Sequence, residues 1–261
     1  KKNYKKGEDA LSRGMISVAA GNFIDTDEQI KKVDKYIKDK ENPFVLILKA
    51  QNATLKEDRI SLKNIFENMT EYEDTKILGM RGLFSLLKNE EDIQKTRDLL
   101  TSAIEYKKDE PWVLEAILDF DILDRNWGAA QKTIEMQLKN KIINKKIANR
   151  KKAVLMTAEA QTLEENDVEA SLKIAIEANK LEPDLIISSS IAARIYSDKG
   201  QYSKADRIIE RSWKIHPHPD LSTIYSYIIP GISPKERLSR IENLIKKSPK
   251  GNIESAISLA N

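Results

Sequence analysis

Residues 183–217 read PDLIISSSIAARIYSDKGQYSKADRIIERSWKIHP, and the two prolines that bound this stretch lie 34 residues apart. Gly200 stands near its middle, where a short turn is expected. Small or aromatic residues flank that turn at helical spacing, namely Ala193, Tyr196, Tyr202 and Ala205. Apolar and polar residues do not alternate along this stretch, so it lacks the pattern that is typical of a strand. The stretch therefore predicts two packed helices joined by a short turn.

The spacing of 34 residues recurs along the chain. When the chain is divided into repeats of about this length, the same position of six repeats holds an apolar residue. These residues, which define the register, are Ile30, Phe66, Leu100, Ile134, Ala175 and Ile209. Four residues earlier, where paired helices approach closely, most residues are small: Thr26, Leu62, Thr96, Ala130, Ser171 and Ala205. A period near 34 is typical of the tetratricopeptide repeat, a helix–turn–helix unit that stacks into a solenoid. We therefore predict an all-α, right-handed tetratricopeptide-repeat (TPR) solenoid of about six to seven helix pairs.

Helix boundaries follow from the register and from local signals. We predict pairs at residues 7–38, 43–72, 77–108, 111–140, 145–181 and 184–216, a less regular pair at 220–248 and a partial helix from about 252. Asn42-Pro43, Glu110-Pro111 and Ser233-Pro234 indicate helix starts. Thr26 with Gln29, and Ser233 with Glu236, are predicted to form capping boxes. Residues 1–261 are expected to form one domain, because each repeat of a solenoid packs on its neighbours.

One junction departs strongly from the period. The step from Ile134 to Ala175 is 41 residues, seven more than the repeat requires. The extra residues lengthen either the connection at about 140–149 or the helix that follows it. The densest basic stretch of the chain lies at the same place, at Lys145, Lys146, Arg150, Lys151 and Lys152. It is either a solvated lysine-rich loop or a contact for an anionic surface.

Composition narrows the possible functions. The 261 residues include 44 Lys and Arg against 41 Asp and Glu, which gives a net charge of only +3. Interspersed charges of both signs are typical of solvated helix faces and argue against a nucleic-acid partner. The chain has no cysteine, which excludes disulfides and thiolate metal sites.

No catalytic motif is present in the sequence. It has no nucleotide-binding glycine loop, and no serine has a sequence-level link to a histidine base. The acidic pair Asp119 and Asp121 is more typical of a solvated helix. His216 and His218 are the only histidines, in His-Pro-His-Pro-Asp, and the flanking prolines favour a structural turn over a metal or haem ligand. We therefore predict no enzymatic activity and no cofactor.

The first helix of each pair lines the concave face of such a solenoid, and its outward side chains are candidates for binding a protein. On the register, this set is Phe44, Gln51, Arg81, Lys88, Trp112, Glu115, Asp119, Ser190 and Arg194. Aromatic residues and arginine dominate binding hot spots, so Phe44 and Trp112 are candidate anchors. Arg81, Lys88 and Arg194 are candidates to bind a carboxylate or an acidic segment. For each residue the alternative is packing between neighbouring repeats.

Several stretches resemble the TPR region of the HemY-like proteins of alphaproteobacteria. They include ALSRGMISVAAGN at residues 10–22, LILKAQ at 46–51, LGMRGLF at 78–84 and KLEPDL at 180–185. The resemblance covers about residues 7–249. It implies an inner-membrane protein whose N-terminal membrane anchor precedes Lys1, and an association with haem biosynthesis. The family offers no catalytic residues to carry over, and the side of the membrane does not follow from these residues.

The resulting expectation is a non-catalytic, membrane-tethered scaffold that binds protein partners through its concave face. Its localisation would be the bacterial inner membrane, through a segment outside this sequence. No run of about 18 apolar residues occurs between Lys1 and Asn261. Two alternatives remain open, a haem or porphyrin carrier and a cell-envelope assembly factor that binds peptides.

Overall fold

The computed structural model describes residues 2–39, 42–89, 92–248, 253–254 and 257, and the only regular secondary structure over these residues is α-helix. The fourteen helices of this part of the chain are α1 (Lys2–Ala19), α2 (Phe23–Tyr36), α3 (Pro43–Leu55), α4 (Arg59–Thr70), α5 (Lys76–Asn89), α6 (Ile93–Lys107), α7 (Pro111–Leu123), α8 (Trp127–Lys139), α9 (Lys145–Leu163), α10 (Val168–Leu181), α11 (Ile186–Asp198), α12 (Tyr202–Ile215), α13 (Pro219–Tyr227) and α14 (Pro234–Ile245). The all-α prediction is confirmed, with seven helix pairs. The helix predicted from about residue 252 falls mostly outside the described residues.

The 34-residue register coincides with the helix boundaries. In each of the six regular pairs, the second helix begins seven residues before the apolar register position. These first residues are Phe23, Arg59, Ile93, Trp127, Val168 and Tyr202. The residue just before four of them accepts a hydrogen bond from a backbone N–H of the first turn, at Asn22, Asp58, Asp92 and Asp167. Such N-caps satisfy N–H groups that the helix itself leaves without a partner.

The capping box predicted at Thr26 and Gln29 is wrong. The helix begins earlier, because Asn22 supplies the cap. Thr26 lies inside α2, fully buried, and its hydroxyl donates to the carbonyl of Asn22 at 2.7 Å. The box predicted at Ser233 and Glu236 is confirmed at the start of α14.

Small residues are buried where the paired helices meet. Thr26, Thr96, Ala130, Ser171 and Ala205 are all at most 4% exposed. The position of closest approach is therefore closed to water in five of the six regular pairs. Leu62, the one large residue of this column, is half-buried.

Clustering of contacts divides the chain into two compact units, unit 1 (Lys1–Val113) and unit 2 (Leu114–Asn261). In unit 1, α1 packs on α2 and α3, and α4 packs on α5. Its core contains two apolar clusters, one around Ala10 and Val33 and one around Leu46 and Met69. The organisation as one domain remains a prediction.

Unit 2 is built in the same way, with α9 on α10, α11 on α12 and α13 on α14. The first helices also touch each other in a row, α9 with α11 and α11 with α13. A buried polar cluster joins three helices: the amide of Asn179 donates to the hydroxyls of Ser189 (2.8 Å) and Ser212 (3.0 Å). Because every member has a partner, the cluster fixes the relative positions of α10, α11 and α12.

The seven extra residues of the irregular junction lie mainly in α9. This helix has 19 residues, whereas α11 has 13. The turn after α9 has four residues (164–167), one more than the turn after α11 (199–201). The six additional residues of the helix are about one and two-thirds turns, and they lie at the N-terminus of α9.

The seventh pair, α13 and α14, is shorter than the six pairs before it. Trp213 and Leu244 are fully buried in its cluster. The guanidinium of Arg240 donates to Asp206 at 2.5 Å and to the carbonyl of Tyr225 at 2.9 Å. It also lies over the ring of Tyr225, with 4.4 Å from Cζ to the centroid. Arg240 thereby ties α14 to both α12 and α13. Over the described residues, no helix is at once long and apolar enough to cross a bilayer.

Gly79 and Gly128 both lie within helices, but we expect the same substitution to change the free energy of unfolding differently at the two positions. A methyl group on Gly79 would lie 2.7 Å from the carbonyl oxygen of Phe66 and 2.9 Å from the backbone nitrogen of Thr70, whereas Gly128 has open space. Gly79→Ala should lower the free energy of unfolding by about 1–3 kcal/mol, as overpacking does. Gly128→Ala should leave it unchanged or raise it by up to about 1 kcal/mol. Urea unfolding of both variants tests this, and equal effects would contradict the close approach of α4 and α5.

Candidate functional site

The predicted binding residues lie mostly on the exposed sides of first helices. Phe44 and Gln51 are exposed on α3, and Arg81 and Lys88 are exposed on α5, all in unit 1. In unit 2, Glu115 and Asp119 are exposed on α7, and Arg194 is exposed on α11. Seven of the nine predicted residues are therefore exposed, on α3, α5, α7 and α11.

Trp112 and Ser190 differ from the rest. Trp112 is half-buried, and its ring packs on Phe84 with 5.6 Å between centroids. Its Nε1 is buried and has no hydrogen-bond partner among the described residues. Ser190 is 6% exposed, and its hydroxyl donates to the carbonyl of Ile186 at 2.9 Å. Both residues thus fit the packing alternative, and their role as binding residues remains a prediction.

A continuous depression crosses α9, α11 and α13 of unit 2, and we call it the unit 2 groove. It consists of three cavities, of about 590, 350 and 410 Å³. The first and second cavities share Gln161 and Ile187 in their walls, and the second and third share Arg194 and Thr223. The groove therefore follows the row of first helices.

Exposed apolar side chains form much of the groove surface. Val154 is 48% exposed, Ile187 52% and Tyr227 60%. Polar side chains lie between them, including those of Gln161 and Thr223. Removing this apolar surface from water would stabilise a bound segment by about 25 cal/mol per Å² covered. The groove therefore combines exposed apolar side chains with polar ones.

Sequence reasoning missed the contribution of α9 to the groove. Subtracting 34 from Ile187 and Arg194 leads to Ala153 and Ala160, which are fully buried. The groove residues of α9 are Val154 and Gln161, each one position later, so the 34-residue spacing does not locate them.

The basic stretch is helical and does not form a loop. It occupies the first eight residues of α9, a helix that is six residues longer than α11. Three of its five cations pair with carboxylates of unit 2: Arg150 with Asp184 (2.5 Å), Lys151 with Glu115 (3.3 Å) and Lys152 with Glu135 (2.6 Å). Lys145 and Lys146 are exposed. The expected contact with an anionic surface remains a prediction, carried mainly by these two residues.

Two carboxyl groups have raised pKa values, which is a feature of many general acids. Burial raises the pKa of Asp121, against a hydrogen bond from Thr133. Burial also raises the pKa of Glu159, against a hydrogen bond from Gln131 at 3.2 Å. Neither residue lines the three cavities of the groove. Over the described residues, no three His, Cys, Asp or Glu side chains are placed to hold a metal ion.

The histidines lie at helix ends. Nδ1 of His218 accepts a hydrogen bond from the backbone N–H of Asp220 at 3.2 Å, so His218 is the N-cap of α13. His216 is exposed at the end of α12, where it forms part of the wall of the 590 Å³ cavity. The predicted structural turn is confirmed for His218.

Comparison with known proteins gives a fold-level likeness. No protein-family model matches the chain, and no curated protein matches its sequence. A solved tetratricopeptide repeat protein from Parabacteroides merdae ATCC 43184 aligns over 100% of this chain and 98% of its own length, with 15% identity and a TM-score of 0.47. A human IFIT1 dimer with m7Gppp-AAAA aligns over 97% of this chain and 61% of its own length, with 14% identity and a TM-score of 0.36. The TPR assignment therefore rests on the register, burial and helix bounds of the chain itself.

The raised pKa of Glu159 predicts a pH-dependent stability. A folded-state pKa above the ordinary value of 4.5 means that the folded protein holds this proton more tightly than the unfolded chain. The ionised group therefore costs stability above that pKa, and the cost disappears as the pH falls towards 4.5. Glu159→Gln should raise the free energy of unfolding at pH 7, and the gain should shrink at lower pH.

Urea unfolding between pH 4 and pH 8 measures this effect. Glu177→Gln, which changes an exposed carboxylate of α10, is the matched control and should have little effect at any pH. Equal behaviour of the two variants would show that the burial of Glu159 has no energetic consequence.

Proposed function

We propose that this chain is a non-catalytic TPR scaffold that binds a segment of a partner protein in the unit 2 groove. The observation that supports the proposal most directly is the continuity of the three cavities along α9, α11 and α13, with exposed Val154, Ile187 and Tyr227 in their walls. Unpartnered apolar surface of this kind commonly marks protein interaction sites. The first helices of a TPR array present such side chains in a row.

A protein partner fits the groove better than nucleic acid. Recognition of nucleic acid needs a surplus of positive charge along the contact surface. In unit 2, Arg150, Lys151 and Lys152 already pair with neighbouring carboxylates. The exposed stripes of α3 and α5 in unit 1 are proposed as a further contact surface for protein.

The resemblance to HemY-like proteins supports a finer proposal. The full-length protein would be tethered to the bacterial inner membrane through a segment outside this sequence, with partners among the proteins of haem biosynthesis. Partners among cell-envelope assembly proteins are the alternative. The proposal does not assign a side of the membrane.

Site-specific crosslinking tests the groove. A photoreactive benzoylphenylalanine at Ile187, in the groove, should form crosslinks to a partner protein in the native cell. The same group at Ile215 on α12, 54% exposed and outside the cavity walls, is the matched control and should not. Ile187→Ser should then weaken binding of the crosslinked partner at least tenfold, whereas Ile215→Ser should not.

Both serine variants should leave thermal stability nearly unchanged, because both side chains are more than half exposed. Crosslinks from Ile215 with none from Ile187 would place the binding surface outside the groove and contradict the proposal.

The haem-carrier alternative makes its own prediction. Titration of the chain with haemin should shift the Soret band, and the shift should disappear in a His216→Ala, His218→Asn variant. Asparagine at position 218 keeps an acceptor for the N-cap of α13, so loss of the shift would not reflect an unfolded helix. A spectrum identical to that of free haemin would eliminate this alternative.

A further inference from the structure

The arginines that line the unit 2 groove are already neutralised. Nη1 of Arg150 lies 2.5 Å from Oδ1 of Asp184 and 3.4 Å from Oε2 of Glu182. Nη2 of Arg194 lies 2.7 Å from Oε1 of Glu164. A carboxylate brought in by a partner would compete with these groups. The expectation that Arg194 binds an acidic segment is therefore not what this geometry favours.

Two further carboxylates in the groove lack a cationic partner. Asp198 ends α11, and Asp220 lies in the first turn of α13 with its side chain 70% exposed. Over the described residues, neither forms an ion pair with lysine or arginine. Nδ1 of His218 lies 3.6 Å from Asp220, but this nitrogen accepts the backbone N–H of Asp220 and so offers no proton to its carboxylate.

The charges of the groove walls therefore do not balance. Two arginines stand against four carboxylates, Glu164, Asp184, Asp198 and Asp220. Arg237, whose Cζ lies 4.4 Å from the centroid of the Tyr227 ring, adds a third positive charge beside these walls. A surplus of one negative charge remains, although the whole chain carries +3. Charge on a groove selects partners of the opposite sign and repels partners of the same sign.

The unpaired carboxylates lie beside exposed apolar surface. Asp220 shares the 350 Å³ cavity with Ile187 and Ile224, and Asp198 shares the 410 Å³ cavity with Tyr227. Building on the proposed function, we propose that the unit 2 groove binds a basic amphipathic segment of a partner protein. Apolar side chains of that segment cover Ile187 and Tyr227, and its lysine or arginine side chains pair with Asp220 and Asp198.

A random dodecapeptide library displayed on phage tests the proposal, because the selection does not require an identified partner. Selection is carried out on the 261-residue chain, and each binder is then tested against the Ile187→Ser variant. Peptides whose binding depends on Ile187 should be enriched in lysine and arginine over aspartate and glutamate, relative to the unselected library. A synthetic copy of such a peptide should bind less tightly as salt increases.

Charge removal supplies the matched variants. Asp198→Asn with Asp220→Asn should weaken binding of the synthetic peptide about fivefold at low salt, the size expected for two exposed ion pairs. Glu177→Gln removes one exposed carboxylate of α10, outside the groove, and should leave the affinity unchanged. Urea unfolding checks that the double variant remains folded.

The outcomes separate this inference from the proposed function. Ile187-dependent peptides that are acidic or neutral would overturn the charge preference and leave the groove as a binding site. An unchanged affinity in the double asparagine variant would also overturn it. Selected peptides that all bind the Ile187→Ser variant as well as the unmodified chain would contradict the groove itself, and with it the proposed function.

Discussion

The close approach of paired helices at one small, buried side chain is the constraint on which the rest of the structure depends. Ala130 and Ala205 are fully buried at this contact. Interaxial distance depends on the side chains at the contact, so a large residue there would push the two helices apart. Ser171 meets the same requirement and adds a hydrogen bond from its hydroxyl to the carbonyl of Ala160, at 2.8 Å. Because of this contact, one side of each first helix packs on the second helix of its pair. Another side of the first helix is not covered by that second helix.

The same constraint explains why the fold could be predicted from the sequence. Each repeat needs a polar N-cap, a small residue and an apolar residue at fixed distances from one another. The same residue types therefore recur every 34 residues or so in the sequence. Asp167, Ser171 and Ala175 are one such set. Helix starts followed because proline and asparagine act locally, as at Asn42-Pro43. The capping box predicted at Thr26 was wrong because the local sequence does not distinguish a threonine that caps a helix from one that is buried inside it.

The binding surface was less predictable, since it depends on interactions between residues far apart in the chain. Arg194 is exposed, as expected, but Glu164, thirty residues earlier, neutralises it. In α9 the exposed residue of the groove is Val154, whereas Ala153, which lies 34 residues before Ile187, is fully buried. Neither effect can be derived from the register. The basic N-terminal part of α9 is a similar case, because three of its five cations pair with carboxylates elsewhere in unit 2. Exposed ion pairs of this kind contribute little stability each, and their main consequence here is to cancel positive charge.

The central claim is that the uncovered row of first helices in unit 2 is the surface that binds protein. Hydrogen–deuterium exchange, measured by mass spectrometry with and without a groove-dependent peptide, tests it most directly, because it reports on every helix in one experiment. The account predicts slower exchange upon binding in α9, α11 and α13, with no change in α10 and α12. Protection confined to α10 and α12 would contradict it.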